Sequence, residues 1–374
     1  MTFKTDKLVF RPGDVDLKYS PFKKDLRTET FVLGAFNPGL TVLPNGNLLI
    51  MVRVAEALKE PVVGKHIHAI AWNPEGYCLE AYPLNEVIRD DPRKFTLKKY
   101  LPTGVMGLTS LSWLLPVELS ADGLQVVEIH YDKIISPDRS SQEYGIEDAR
   151  ISIIEGKYYM TCCTVSSERH ATSLFTSTDG LNYSFAGIIL DHQNKDMLIF
   201  EGKIKDIYYA FTRPLGALYF DTGMQSEYLA GPSINLASSP DLLHWKPTDF
   251  PFIRSKRGSG FTNRIGGGTP PILTTKGWLA LFHGVETKGK VGIYRTYWAM
   301  MDRENPHKIL KIEDKEPLME SKSELTEDIK DQIYLNDVVF TTGIVEAGDH
   351  YIVASGELDL ACRITHIPKS FLDL

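Results

Sequence analysis

In the stretch YGIEDAR (144–150), Glu147, Asp148 and Arg150 stand within four positions, directly before the apolar run ISII. Two acids and an arginine at the mouth of a strand make either a salt-bridged turn or the acid centre of an active site, where a placed carboxyl moves a proton. Successive strand residues face opposite ways, so Glu147 and Asp148 cannot both point at one reacting group. Other polar residues interrupt apolar, strand-like runs: Asn37 in FNPGL, Arg53 in LIMVRVAE, Arg213 in FTRP, His283 in LFHGV and Asp359 in GELDL. Each admits a structural reading, as a turn cap, a strand-end ion pair or a satisfied core histidine. Their convergence is the stronger signal.

A glycine-rich piece, NRIGGGTPPILTTKGW (263–278), adds a backbone that can approach a ligand closely with free N–H groups. No helix-forming sequence follows, so it is neither a dinucleotide fingerprint nor a P-loop. Beside Arg264 and His283 it reads as a cradle for an anion or a sugar, or else as a tight crossing between units.

These residues need a scaffold, and the chain carries a repeat. A turn residue opens a strand of alternating aromatic and apolar residues at Gly46 (GNLLIMVRVAE), Gly156 (GKYYMTCCTVSS), Asp206 (DIYYAFTRP), Gly277 (GWLALFHGVE) and Asp349 (DHYIVASGELD). A second strand follows each: HIHAIAW, TSLFTSTDGLNYSFAGIIL, SINLASSPDLLHWKP, IYRTYWAMMDRENPHKIL and ACRITHIP. The long first gap holds an insertion, roughly residues 85 to 140. Short strands in repeating units predict an all-β fold, a five-bladed β-propeller, with the functional side chains gathered on one face of its channel. SKSELTEDIKDQI (321–333) has helical spacing and is expected to form a short helix. The polar residues 1–30 are expected to wrap the outside as an N-terminal extension. No low-complexity linker divides the chain, so residues 1–374 are read as a single domain.

Composition narrows the function. The 374 residues are 43% hydrophobic and carry a net charge of -7. An acidic chain is not built to neutralise phosphates, which argues against a nucleic-acid partner. No apolar run reaches the roughly 18 residues a membrane helix needs. MTFKTDKLVFRPGD lacks an apolar signal core, which for a native start predicts a cytoplasmic protein; a trimmed start leaves export open. Cys78, Cys162, Cys163 and Cys362 form no CxxC pair and no zinc pattern, and are expected to be reduced and half-buried. No metal or cofactor is expected.

FNPGL (36–40), MVRV (51–54), YGIEDARI (144–151), NKDMLIF (194–200), FTRP (211–214), SSPDLLHW (238–245), RIGGGTPPI (264–272), GWLALFHG (277–284) and NDVVFTTG (336–343) occur in that order. Together they resemble glycoside hydrolase family 130, over about residues 30 to 365. The resemblance implies a five-bladed propeller that cleaves β-mannosides, linked β-1,2 or β-1,4, with inversion. It implies Asp148 as the catalytic acid and Asn37, Arg53 and Asp359 on the mannose at the cleaved bond. In members that use phosphate it implies Arg213, Arg264 and His283 around that anion, beside Asn194. The chain departs from the family pattern at Ala149, at FEGKI (200–204), at Gln193 and at ASGELD (354–359).

An inverting enzyme of this kind protonates the leaving oxygen from one face while a nucleophile attacks the other. Phosphate as nucleophile needs a basic pocket and no base; Arg213, Arg264 and His283 fit that. Water as nucleophile needs a carboxylate facing Asp148 across about 6.5–9.5 Å, and Glu201 and Glu227 are the candidates. Phosphorolysis to α-mannose 1-phosphate is the leading expectation, with inorganic phosphate as co-substrate. An inverting β-mannosidase is the alternative, and a non-catalytic sugar-binding propeller a minor one. FNPG lacks the aspartate of a β-fructosidase nucleophile motif. The expected partner is a manno-oligosaccharide; a homo-oligomer is allowed.

Overall fold

The computed structural model describes residues 3–137, 140–215, 228–261, 264–289 and 291–372. Five antiparallel sheets carry the fold, each running outward from one inner strand. The first consists of Thr30–Val42, Leu48–Leu58, Ser110–Leu119 and Val126–Ile129. The second consists of Ile146–Ile154, Lys157–Val165, His170–Ser177 and Ser184–Leu190. Asn194–Ile204, Ile207–Pro214, Tyr228–Ser239 and Lys246–Lys256 make the third. Arg264–Gly267, Trp278–Glu286, Ile293–Met301 and Ile309–Glu313 make the fourth, with Ile272–Leu273 also pairing on Trp278–Glu286. The fifth consists of Val339–Ala347, His350–Glu357, Ala361–Pro368 and, from the other end of the chain, Thr5–Phe10.

The five repeat starts all lead into the second strand of a sheet. These strands are apolar on both faces because each sheet is covered on both sides: Leu48–Leu58 is buried at ten of its eleven positions. Separate apolar clusters fill the gaps between neighbouring sheets. Met51 and Leu114 meet Ile151 and Met160; Leu174 and Ile154 meet Met197 and Ala210. Phe211 and Leu236 meet Trp278 and Phe282, and Leu281 and Met300 meet Val339 and Val353. Ile50 and Val52 of the first sheet meet Ile352 and Ile364 of the fifth.

Three expectations need correction. HIHAIAW is a strand, but it does not continue the first sheet; it pairs with the adjacent Gly76–Pro83, because a local hairpin costs less ordering than a distant partner. The insertion therefore starts earlier than residue 85: two three-stranded sheets occupy Val62–Val63 to Met106–Leu108, and Ser110–Leu119 returns to the first sheet. Residues 321–333 form two 3-10 turns, Ser323–Leu325 and Glu327–Gln332, rather than an α-helix. The backbone leaves helical geometry at Ile329 (φ -125°), and none of these turn residues is buried against a partner that would hold a helix. Third, residues 5–10 do not simply wrap the outside but are a strand of the fifth sheet.

Arg363, fully buried, fixes that strand. It grips Asp6 with Nε and Nη2, both at 2.7 Å, and Glu357 with Nη1 at 2.8 Å. Cys162, Cys163 and Cys362 are buried and Cys78 is half-buried, all as free thiols. No helix among the described residues is long and apolar enough to cross a membrane.

Candidate active site

The inner strands of the first three sheets break at the same kind of place. Pairing shifts register between Phe36 and Gly39, between Glu147 and Arg150, and between Lys195 and Leu198. Inside each break sits one left-handed residue: Asn37 (φ 47°), Asp148 (φ 54°) and Asp196 (φ 53°). Asparagine and aspartate tolerate this backbone better than other side-chain-bearing residues, and the bulge re-aims the side chain away from the ladder. Asp359 (φ 51°) reaches the same conformation in the Leu358–Asp359 turn of the fifth sheet.

These breaks position Asp148. Asp148 Oδ1 accepts from Asn37 Nδ2 at 2.9 Å and from Arg53 Nη1 at 3.0 Å. Its Oδ2 meets no hydrogen-bond donor among the described residues, and the side chain is 10% exposed. Arg53 is itself fixed: its Nε donates to Ser112, its Nη2 to Glu147 at 2.8 Å, and its guanidinium lies over the Phe36 ring. Glu147 points to the other side of that arginine and takes a second cation, Lys195 Nζ, at 3.0 Å. Burial would raise the Glu147 pKa, but Arg53 and Lys195 outweigh it and hold this carboxyl well below the usual range. Glu147 is therefore an ionised anchor, which leaves Asp148 as the carboxyl with an oxygen to spare. Asp359 faces the same region; burial pushes its pKa up, against the pull of Arg93 and Arg53.

Arg150, which is buried, ties Asp148 to a second cluster. Its Nη1 donates to the Asp148 carbonyl and its Nε to the Gly268 carbonyl, both at 2.7 Å. Its Nη2 lies 3.6 Å from Asp196 Oδ1. Asp196 Oδ2 in turn stands 2.7 Å from Arg213 Nε and 3.8 Å from His283 Nε2. His283 lies against the Tyr294 and Phe340 rings, and the Arg264 guanidinium lies over the same Tyr294 ring. Arg264 also donates to the Val291 carbonyl. A Cβ on Gly266 would come within 2.6 Å of both Asp196 Oδ2 and the His283 ring, so the glycine run is required for this close packing.

Two expectations change here. His283 is expected from sequence as a basic group; burial, with the neighbouring arginines and against Asp196, lowers its pKa to about 3. It is a neutral donor and acceptor at neutral pH. The positive charge is carried by Arg150, Arg213, Arg264 and Lys195 instead. Glu201 does not face Asp148. It accepts from the Ile153 N–H at 3.1 Å, five positions along the strand from Asp148, or about 16 Å at ~3.3 Å per residue. Glu227 lies outside the described residues. Asn194 is buried behind the cluster, donating to Thr172 and accepting from the Arg213 N–H at 2.9 Å, so it positions Arg213's backbone.

Sequence reasoning does not single out Asp196, Lys195, Tyr294, Phe340 or Arg93. Asp196 has a signal, the recurrence of Asn or Asp at the break of successive inner strands. Glu118, Glu128 and His130 bring possible metal-ligand atoms within 4.8 Å of one another. Asn45 and Asn47 already donate to Glu118 there, which accounts for the grouping as a hydrogen-bonded cluster.

A half-buried carboxyl with one oxygen fixed by Asn37 and Arg53, joined through Arg150 to a cluster of Asp196, Arg213 and His283, makes a candidate enzyme site. A family model described as β-1,4-mannooligosaccharide phosphorylase matches residues 109–374. The chain belongs to this family, glycoside hydrolase family 130, and is an enzyme. It is 32% identical to a β-1,2-mannobiose phosphorylase of Listeria innocua over 324 residues, 85% of this chain and 84% of that protein. It is 28% identical to a 1,2-β-oligomannan phosphorylase of Thermoanaerobacter sp., covering 64% of this chain and 74% of that protein. The solved structure of a Listeria innocua β-1,2-mannobiose phosphorylase with β-1,2-mannobiose superposes with a TM-score of 0.80 at 29% identity, over 98% of each chain.

Proposed function

We propose that this enzyme is an inverting β-mannoside phosphorylase, with β-1,2-mannobiose as its leading substrate, built as a single five-bladed propeller. The clusters between successive sheets, and that between the fifth and the first, support the propeller reading. The relatives support the substrate: two act, by name, on β-1,2-linked mannosides. Inorganic phosphate is the co-substrate and no organic cofactor takes part.

One observation carries the reaction type. Arg150 Nη2, Arg264 Nε and His283 Nδ1 are buried polar atoms without a hydrogen-bond partner among the described residues. They belong to one cluster, whose arginines and neutral histidine supply donors that a phosphate oxygen would satisfy. In the step, Asp148 gives its proton to the glycosidic oxygen, directly or through a sugar hydroxyl, as the C1–O bond breaks. A phosphate oxygen forms the new C1–O bond from the opposite face, and the phosphate proton restores Asp148. Asn37, Arg53 and Asp359 hold the mannose at the cleaved bond. With Glu201 remote, its use as a hydrolytic base has no geometric support.

The test is incubation with β-1,2- and β-1,4-mannobiose, with and without phosphate. Phosphate-dependent release of α-mannose 1-phosphate is expected, fastest with the β-1,2 linkage. Free mannose at the same rate without phosphate would overturn phosphorolysis.

A further inference from the structure

Arg93 comes from outside the five sheets. It sits in the turn between Val87–Asp91 and Lys94–Leu97, in the insertion, yet its Nη1 reaches Asp359 Oδ2 at 3.2 Å, 266 residues away in the chain. Three features fix it. Asp91 grips Nε at 2.9 Å and Nη2 at 2.8 Å in a bidentate fork. The guanidinium lies over the Tyr334 ring, and Tyr334 donates its hydroxyl to the Asp359 carbonyl. Thr109 ties the turn backbone through the Arg93 and Pro92 carbonyls.

A guanidinium has five N–H donors, and these three bonds use one each on Nε, Nη1 and Nη2. The second N–H on each terminal nitrogen has no partner among the described residues. The Arg93 side chain is 25% exposed, against 10% for Asp148 and 2% for Asp196. The site thus runs from a dry end at Asp196 and His283, through Asp148, to an open end at Arg93. In an inverting displacement the nucleophile and leaving group occupy opposite faces of the anomeric carbon. With the anion held at the dry end, the leaving sugar lies at the open end.

We propose that Arg93, anchored by Asp359, is a specificity-determining residue that binds hydroxyls of the sugar on the leaving side. A rigid guanidinium with an N–H to spare on each terminal nitrogen matches neighbouring hydroxyl oxygens of a pyranose. This deepens the phosphorylase reading and rests on its assignment of the two ends of the site. The insertion thereby selects the sugar while the five sheets carry the chemistry.

The experiment compares wild type, Arg93→Ala and Arg93→Lys on β-1,2-mannobiose and on 4-nitrophenyl β-mannoside, whose leaving group has no hydroxyls to read. Arg93→Ala is expected to lower kcat/KM on mannobiose by about 10- to 100-fold while changing the aryl substrate by no more than about twofold. Arg93→Lys, which keeps the charge and loses the fork, is expected to fall between. Equal losses on both substrates, or no loss on mannobiose, overturn the proposal. If Arg93→Ala does not fold, by circular dichroism, Arg93→Lys decides by the same ratio. Wild type that releases mannose rather than mannose 1-phosphate sinks the phosphorylase reading alone, since the substrate ratio still tests Arg93. Wild type that cleaves neither substrate overturns both.

Discussion

Arg150 donates to the main-chain carbonyl of Asp148, the residue two positions before it, and so clamps a backbone held at φ 54°. The same side chain holds the Gly268 carbonyl and faces Asp196. One buried arginine thus joins the Asp148 backbone to the Gly268 backbone and to the Asp196 cluster. Arg150→Met removes the clamp and leaves Asp196 with one guanidinium fewer. Loss of one partner of a buried pair costs about 3–5 kcal/mol. Urea unfolding should show a loss of that order, and the surviving protein should lose activity on every substrate alike.

Asp148→Asn should lower turnover on β-1,2-mannobiose by at least about 10²-fold, the lower range for general acid catalysis. Asn37 and Arg53 still find an oxygen to donate to, so the fold should survive. With 4-nitrophenyl β-mannoside the loss should shrink, because that leaving group needs less protonation. Steady-state rates on the two substrates check this, and equal losses would remove Asp148 from the role.

Glu201 makes a pH prediction. Burial, opposed by the Ile153 N–H, raises its folded pKa to about 7, whereas an unfolded glutamate titrates near about 4.3. Between those values the folded state binds more protons, so stability falls as pH rises from about 4 to about 7 and levels off above. Glu201→Gln removes this dependence. Unfolding free energies of the two proteins should diverge in favour of the glutamine variant as pH rises from about 5 to about 8, with phosphorolysis retained. Abolished activity would instead return Glu201 to the chemistry.

His283 is neutral above about pH 3. His283→Ala should raise the phosphate KM through a lost donor, not a lost charge. The phosphate KM of wild type and of His283→Gln should accordingly follow pH with the same shape between about 5.5 and about 8, the range in which an unperturbed histidine changes charge. An extra inflection near about 6.5 in wild type alone would show that the ring titrates there.

The sheet scaffold was legible because each second strand is apolar on both faces and opens on a turn residue, as in GWLALFHGVE. Asp148, Arg53 and Asn37 were legible for the converse reason, as polar residues inside apolar runs. What escaped were matters of long-range pairing. TDKLVF carries too little alternation to predict its place beside Ala361–Pro368. Arg93 looks like an ordinary turn arginine until the fold sets it beside Asp359. The helical spacing of SKSELTEDIKDQI misled because periodicity without a face to bury does not hold a helix.

The pairing of Thr5–Phe10 with Ala361–Pro368 sets a timetable for the polypeptide. Asp6 and Arg363 are 357 residues apart, so a ribosome must synthesise everything between them before Thr5–Phe10 meets its neighbour. Until then Thr5–Phe10 has no ladder and the first and fifth sheets share no core. Contacts of such separation slow folding and leave unpaired edges open to other chains. Acquisition of the native state should therefore be late and abrupt, completed only when Ala361–Pro368 emerges and takes up a strand made long before it.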